Sequence, residues 1–423
     1  MYPTYDFACP IVDSVEGVTH ALRTTEYHDR DEQYMWFLDA LGMRKPYIYE
    51  YSRFNLQNTV LSKRRLTWFV ETGKVRGWDD PRFPTVRGIL RRGMTVEALK
   101  QFIVAQGSSR SVVMMDWDKI WAINKKFIDD LAPRHTALLN GKTVKVNLKG
   151  LEKEESKEMP KHPKNEAIGK KTIWFSSTVL IDEADAVVIK EGDVVTFMEW
   201  GNVKVLKIHL TNDGKSIREI DAELNLDNKD FKKTLKLTWL PLPSTNVSFV
   251  PVKCCHFDHI ISKAVLDKDE DFKLYCDHKT EFVFDVLGDN EMRNVKKGDI
   301  IQISRRGYYI CDEPFKPNGT TQNGVLGGEA LVLFNIPEGN KRESPTSYMT
   351  ISQQQYESVR VADEAELKTQ TAKTASKENK APTLTSFNLE EINKKISNQG
   401  EVIRNLKAQK APKVIFDLVW FGL

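Results

Sequence analysis

Apolar residues recur at intervals of three and four along the first part of the chain, and at intervals of two beyond residue 141. In residues 1–50, Tyr34, Phe37, Leu38 and Leu41 fall on one helical face. Asp31 stands where an N-cap belongs, and Gly42 where that helix must end. Residues 43–51 are aromatic and β-prone, so this stretch reads as α/β. Residues 67–140 read as helical. Thr95 is the expected cap of a helix with Val96, Leu99, Phe102 and Ile103 on one face and Gly107 past its end. Asp116 is the expected cap of another, carrying Ile120, Trp121, Ile123, Phe127, Ile128 and Leu131, with Pro133 beyond.

Past residue 141, Val144, Val146 and Leu148 alternate with polar positions. Residues 173–181, 194–200, 300–303, 308–311 and 331–336 are strand-like. Residues 204–210 and 217–224 flank Asn212-Asp213-Gly214, a hairpin signal. Many short strands predict one or two antiparallel β-barrels over 141–342, with the Lys- and Glu-rich stretch 151–171 as a long loop. Residues 343–386 are too polar to offset their ordering entropy and read as a disordered linker. Residues 387–413 return to helical spacing with a basic side. The tail 414–423 is apolar and aromatic, and too short to span a membrane.

The 423 residues suffice for two to four domains, and 40% are hydrophobic. A net charge of +3 matters only where the cations cluster. They do so twice. Val60-Leu61-Ser62-Lys63-Arg64-Arg65-Leu66 runs from an apolar lead through a hydroxyl into cations, a composition suited to a polyphosphate. On its own, the stretch reads more readily as a solvated basic turn before a helix at 66–70. Arg82, Arg87, Arg91 and Arg92 read either as a phosphate-backbone surface or as a solvated helix face. Cys9, Cys254, Cys255, Cys276 and Cys311 form no CxxC, which argues against disulfides and zinc and fits a reducing cytosol. The N-terminus has no basic region before an apolar stretch, so no signal peptide is expected.

Several separated motifs resemble the second half of the catalytic domain of class I glutamyl-tRNA synthetases of the archaeal and eukaryotic cytosolic type. They are Tyr2-Pro3-Thr4-Tyr5-Asp6-Phe7, the stretch from Glu16 to Glu26, Ser52-Arg53-Phe54-Asn55, Leu61-Ser62-Lys63-Arg64 and Gly77-Trp78-Asp79-Asp80-Pro81-Arg82. They occur in the family's order and spacing, and the resemblance runs to about residue 340. It implies a Rossmann-type catalytic part over 1–66, a helical stem-contact subdomain over 67–140 and anticodon-binding barrels over 141–342. The stretch from Gln399 to Lys413 is similar to the first helix of a WHEP domain, a module that joins the halves of animal bifunctional synthetases. No HIGH-type sequence occurs, so the chain reads as beginning inside the catalytic domain.

The resemblance implies ATP-dependent activation of L-glutamate and its transfer to tRNA(Glu) in the cytoplasm. Mg²⁺ would accompany ATP, and no structural metal is expected. Lys63 would neutralise phosphate charge, with Leu61 and Ser62 shaping the loop; Val60 replaces the first lysine of the family's KMSKS pattern. Arg53, Phe54 and Glu26 match positions near ATP. Tyr5 and Arg23 match the amino-acid pocket, where a guanidinium holds a side-chain carboxylate. Related glutaminyl enzymes lack that arginine. From the residues alone, Arg23 could instead pair with Glu16 or Glu26. Asp29 matches a carboxylate that approaches acceptor-stem bases, or else caps a helix beside Asp31. Arg82 either touches tRNA or fixes its loop. Other synthetases in a multi-synthetase complex are a further partner that the resemblance allows. The alternative reading, which follows from the missing HIGH half, is a chain that binds tRNA without catalysis.

Overall fold

The computed structural model describes residues 2–339, apart from 108, 213, 232, 233 and 268. The expected linker, WHEP-like helix and tail lie outside the described residues.

The first part is a βαβ unit. Strand His20–Thr24 leads through the short turn Thr25–Arg30 into helix Asp31–Ala40, and strand Tyr47–Tyr51 returns parallel to the first. Helix Tyr5–Val15 packs beside them around Ala21, Tyr34 and Leu38. Asp31 does not cap its helix as expected. It is the first helical residue, Arg30 takes the cap position without a side-chain bond, and the Asp31 carboxylate turns to Arg23.

The helical part follows the capping logic. Thr95 Oγ1 accepts from the Ala98 amide at the start of helix Val96–Gln106, and Gly107 ends it with φ 65°. Asp116 Oδ1 accepts from the Asp118 amide at the start of helix Trp117–Ile128. Their burial differs in part from expectation. Ala98 and Phe102 are buried, whereas Val96, Ile103 and Leu131 are exposed. The packed stripe is narrower than the periodicity implies.

The β region consists of two seven-stranded, barrel-like sheets. One runs, in spatial order, Leu235–Leu237, Val194–Phe197, Gly201–Leu210, Ile217–Leu224, Thr143–Lys149, Thr178–Asp182, Trp239–Pro241. The other runs Arg134–His135, Ile300–Ile303, Gly307–Glu313, Leu331–Ile336, Val250–Phe257, Glu281–Gly288, Ala137–Leu139. Three expectations need correction. Both sheets are mixed, since Ile217–Leu224 pairs parallel to Thr143–Lys149, and Val250–Phe257 parallel to Leu331–Ile336. The expected strand 173–181 is two, Lys170–Phe175 and Thr178–Asp182. The expected loop 151–171 holds a strand, Glu155–Pro160, paired antiparallel with Lys170–Phe175. Its lysines and glutamates lie on an exposed ribbon, where period-2 hydrophobicity has no core to serve.

The chain starts the second sheet with residues 134–139, builds the first, then returns to finish the second. Arginines bind the parts together. Arg306 reaches Asp182 of the other sheet at 2.6 Å, and Arg305 reaches Asp185 at 2.6 Å. Of the cluster Arg82, Arg87, Arg91 and Arg92, only Arg87 lies exposed on a helix, Val86–Arg91, as a solvated face would have it. Arg82 donates to Asp80 and to Thr280 of the second barrel, and Arg91 takes Asp312 through two bonds of 2.8 and 2.9 Å. Arg92 donates to the Phe257 carbonyl. Three of the four are inter-domain ties.

Candidate functional site

The basic stretch is the start of a helix. Lys63–Glu71 is helical, with Ser62 at the N-cap, so the cations fill the first turn instead of preceding a helix at 66–70. No acidic residue stands in that turn, and the Ser62 hydroxyl makes no capping bond. First-turn amides already carry partial positive charge, which three further cations oppose unless an anion is present. Lys63 and Arg64 are exposed, and Arg65 lies 5.5 Å over the Phe272 ring.

The loop before this helix is anchored, not loose. Val60 is 4% exposed and packs with Leu66, Phe69, Ile260, Ile261 and Phe272. A lysine at that position would have to enter this cluster, which gives a physical reason for the valine. Asn58 adopts φ 54°, a left-handed backbone that asparagine tolerates. Its amide donates to the Ala264 carbonyl at 2.8 Å, and its side chain to the carbonyls of Ile261 and Ser262 at 3.1 Å. Trp117 Nε1 donates to Thr59 Oγ1 at 2.9 Å. These supports come from far along the chain, so no local sequence signal points to Asn58 or to the contact of Arg65 with Phe272.

Beside the loop lies a cavity of about 360 Å³, lined among others by Arg53, Thr59, Leu61, Ser62, Arg65 and Met114. Three of the residues expected near ATP, Arg53, Leu61 and Ser62, thus line one cavity. Glu26 joins them through a 3.1 Å ion pair with Arg53. That pair is half exposed and cheap to rearrange around a ligand. Phe54 stands edge-on to Phe102 at 5.5 Å. Lys63, Glu26 and Phe54 are not among the residues lining the cavity.

Arg23 lies on the βαβ unit and Tyr5 on the helix packed beside it, both outside this cavity. Tyr5 opens its helix and is 76% exposed. Arg23 is 15% exposed, and its local ion pair is with Asp31 at 3.0 Å, not with Glu16 or Glu26. The rings of Tyr27 and Tyr34 flank its guanidinium at 5.1 and 5.2 Å. His28 Nδ1 lies 2.9 Å from Glu50 Oε1 and 3.4 Å from Asp31 Oδ2. The hydrogen bond that His28 donates to Glu50 raises its pKa, and burial raises that of Asp31. Asp29 is exposed, and Arg30 holds the cap position next to it. Arg82 is 8% exposed and engaged by Asp80. Burial acts to raise the Asp80 carboxyl, but the Arg82 guanidinium and two backbone amides outweigh it, and the net shift is downward.

Residues 1–130 match the family described as tRNA synthetases class I (E and Q), catalytic domain. Residues 132–226 and 236–312 match two anticodon-binding domains of the same group. The chain belongs to the class I glutamyl and glutaminyl tRNA synthetases. It is 53% identical over 99% of its length to the bifunctional glutamate/proline–tRNA ligase of Mus musculus, and spans 27% of that protein. It is 48% identical over 80% of its length to the probable cytoplasmic glutamate–tRNA ligase of Schizosaccharomyces pombe, and spans 45% of it. The figures for the cytoplasmic glutamate–tRNA ligase of Saccharomyces cerevisiae are 48%, 80% and 45%. The chain therefore spans between about a quarter and a half of these relatives. Within the family, both anticodon-binding matches fall on the two barrel-like sheets, and the catalytic match takes in the βαβ unit and the helical part together. No helix among the described residues is long and apolar enough to cross a membrane.

Proposed function

We propose that the chain carries ATP-, glutamate- and tRNA-binding sites of a cytoplasmic glutamyl-tRNA synthetase. The observation that carries this reading is the helix start at Ser62, where Lys63, Arg64 and Arg65 crowd amides with no acidic partner in the turn. A polyphosphate relieves that crowding. The names of the relatives, all glutamate–tRNA ligases, favour catalysis over the binding of tRNA alone.

In the first step a glutamate α-carboxylate oxygen bonds to the α-phosphorus of ATP, and the bond to the bridging oxygen breaks. Pyrophosphate leaves with the electron pair, and glutamyl-adenylate remains. A ribose hydroxyl of the terminal adenosine of tRNA(Glu) then takes the glutamyl group, and AMP departs. The protein's share is placement and charge stabilisation. Lys63 neutralises the β- and γ-phosphates as the diphosphate separates, and Ser62 donates its uncommitted hydroxyl to a phosphate oxygen. Arg53, Phe54, Glu26 and Leu61 receive the adenosine side. Arg23, with Tyr5, receives the side-chain carboxylate of glutamate. Mg²⁺ arrives as part of the ATP complex. Asp29, exposed at the turn, approaches the acceptor stem. Arg82 holds the loop that supports this surface.

Titration of MgATP into the chain tests the reading. Lys63→Ala removes one charge-assisted contact and is expected to weaken binding by about tenfold to a hundredfold. Equal affinity of both proteins would contradict the role of Lys63.

A further inference from the structure

The strands His20–Thr24 and Tyr47–Tyr51 place Arg23 and Glu50 opposite each other in register. The turn Thr25–Arg30 and the helix after it bring His28 and Asp31 to the same spot. The imidazole and the two carboxylates lie with their polar atoms within 4.8 Å of one another. Arg110 approaches Glu50 at 3.8 Å from beyond.

Arg23 meets this cluster by one arm. Its Nη1 donates to Asp31 Oδ1 at 3.0 Å. Among the described residues, Nε and Nη2 have no protein acceptor. The guanidinium carbon lies 5.1 Å from the Tyr27 ring centre and 5.2 Å from that of Tyr34, and the Tyr34 hydroxyl is itself fixed to Asp13 Oδ2 at 2.7 Å. The side-chain torsions of Arg23 decide which edge of the guanidinium faces outward, and the Nη1 bond to Asp31 fixes that choice. The second Asp31 oxygen is in turn held by His28, which Glu50 holds.

We propose that Asp31 is a specificity-determining positioning residue, which holds the Arg23 guanidinium by Nη1 so that its opposite fork faces the side-chain carboxylate of glutamate. The inference rests on Arg23 as the glutamate contact. A correctly turned fork meets a carboxylate with two parallel bonds. It meets glutamine with one acceptor and one amide donor, which leaves an N–H facing an N–H. A guanidinium free to turn loses part of that contrast, because it can present a single donor to either ligand.

The test uses the chain with two non-hydrolysable probes, the sulfamoyl analogues of glutamyl- and glutaminyl-adenylate. The wild-type chain is expected to prefer the glutamyl analogue. Asp31→Ala is expected to reduce the preference about tenfold. Asp31→Asn keeps an acceptor for Nη1 and is expected to retain most of it, a rescue that a purely structural role does not require. Asp31→Ser is too short to reach Arg23 but is tolerated at a helix start, so it carries the test should the alanine variant fail to fold. Unchanged preference in the alanine or serine variant overturns the positioning role and leaves Arg23 as the contact. A wild-type chain with no preference overturns the Arg23 reading, and this inference with it.

Discussion

His28 sits on the surface, yet its imidazole is shared between two carboxylates. The hydrogen bond that it donates to Glu50 is the main reason its pKa stands above the ordinary 6.5. A group that holds its proton more tightly when folded adds stability below its unfolded pKa. That contribution is lost as pH rises through the higher folded value. His28→Gln removes the titration. The melting temperature of the wild-type chain is therefore expected to exceed that of the variant most near about pH 6, and the gap to shrink toward about pH 9. A gap that stays constant across that range contradicts this assignment. None of this was legible locally. His28 and Glu50 are 22 residues apart, and only the parallel register brings them together.

At the scale of elements, legibility tracked how local the cause was. Thr95 and Asp116 read as caps and are caps, because a cap is settled within three residues. The alternation Val144, Val146, Leu148 read as a strand with one buried face, and it is one. The start of helix Lys63–Glu71 was misjudged by one turn, since its consecutive cations resemble a solvated turn. The reason they are tolerated lies outside the helix. Val60, two residues before its cap, plugs the loop into a cluster that includes Ile260, Ile261 and Phe272. Val60→Lys would bury an ammonium there and is expected to cost about 2–4 kcal/mol, read as a lower midpoint in urea unfolding. An unchanged midpoint would mean that the loop is not anchored in this way. The basic stretch, Arg65 included, and Arg53, Glu26 and Arg23 can be named from the sequence as candidates, but Asn58, the contact of Arg65 with Phe272 and the Arg23–Asp31 bond cannot, because their geometry depends on neighbours that local spacing does not show.

For the whole molecule, three of the four arginines that read as a phosphate-backbone surface or a solvated face hold domains together: Arg91, for one, finds Asp312 across 221 residues of chain. Arg306, outside that cluster, is likewise buried against Asp182 across 124. Sequence spacing shows charge density but not whether a partner carboxylate waits on another sheet. The mixed sheets escaped notice for a similar reason, because the second barrel takes strands from both before and after the first. This assembly sets the basic loop, the βαβ unit and the two barrel-like sheets in one chain. The measurement that tests the whole account most directly is ATP–pyrophosphate exchange by this chain, with and without tRNA(Glu), in the presence of glutamate or of glutamine. The account expects exchange that depends on glutamate, is not supported by glutamine and is lost in Lys63→Ala. A folded chain that binds tRNA(Glu) yet supports no exchange with glutamate would contradict it and leave tRNA binding without catalysis.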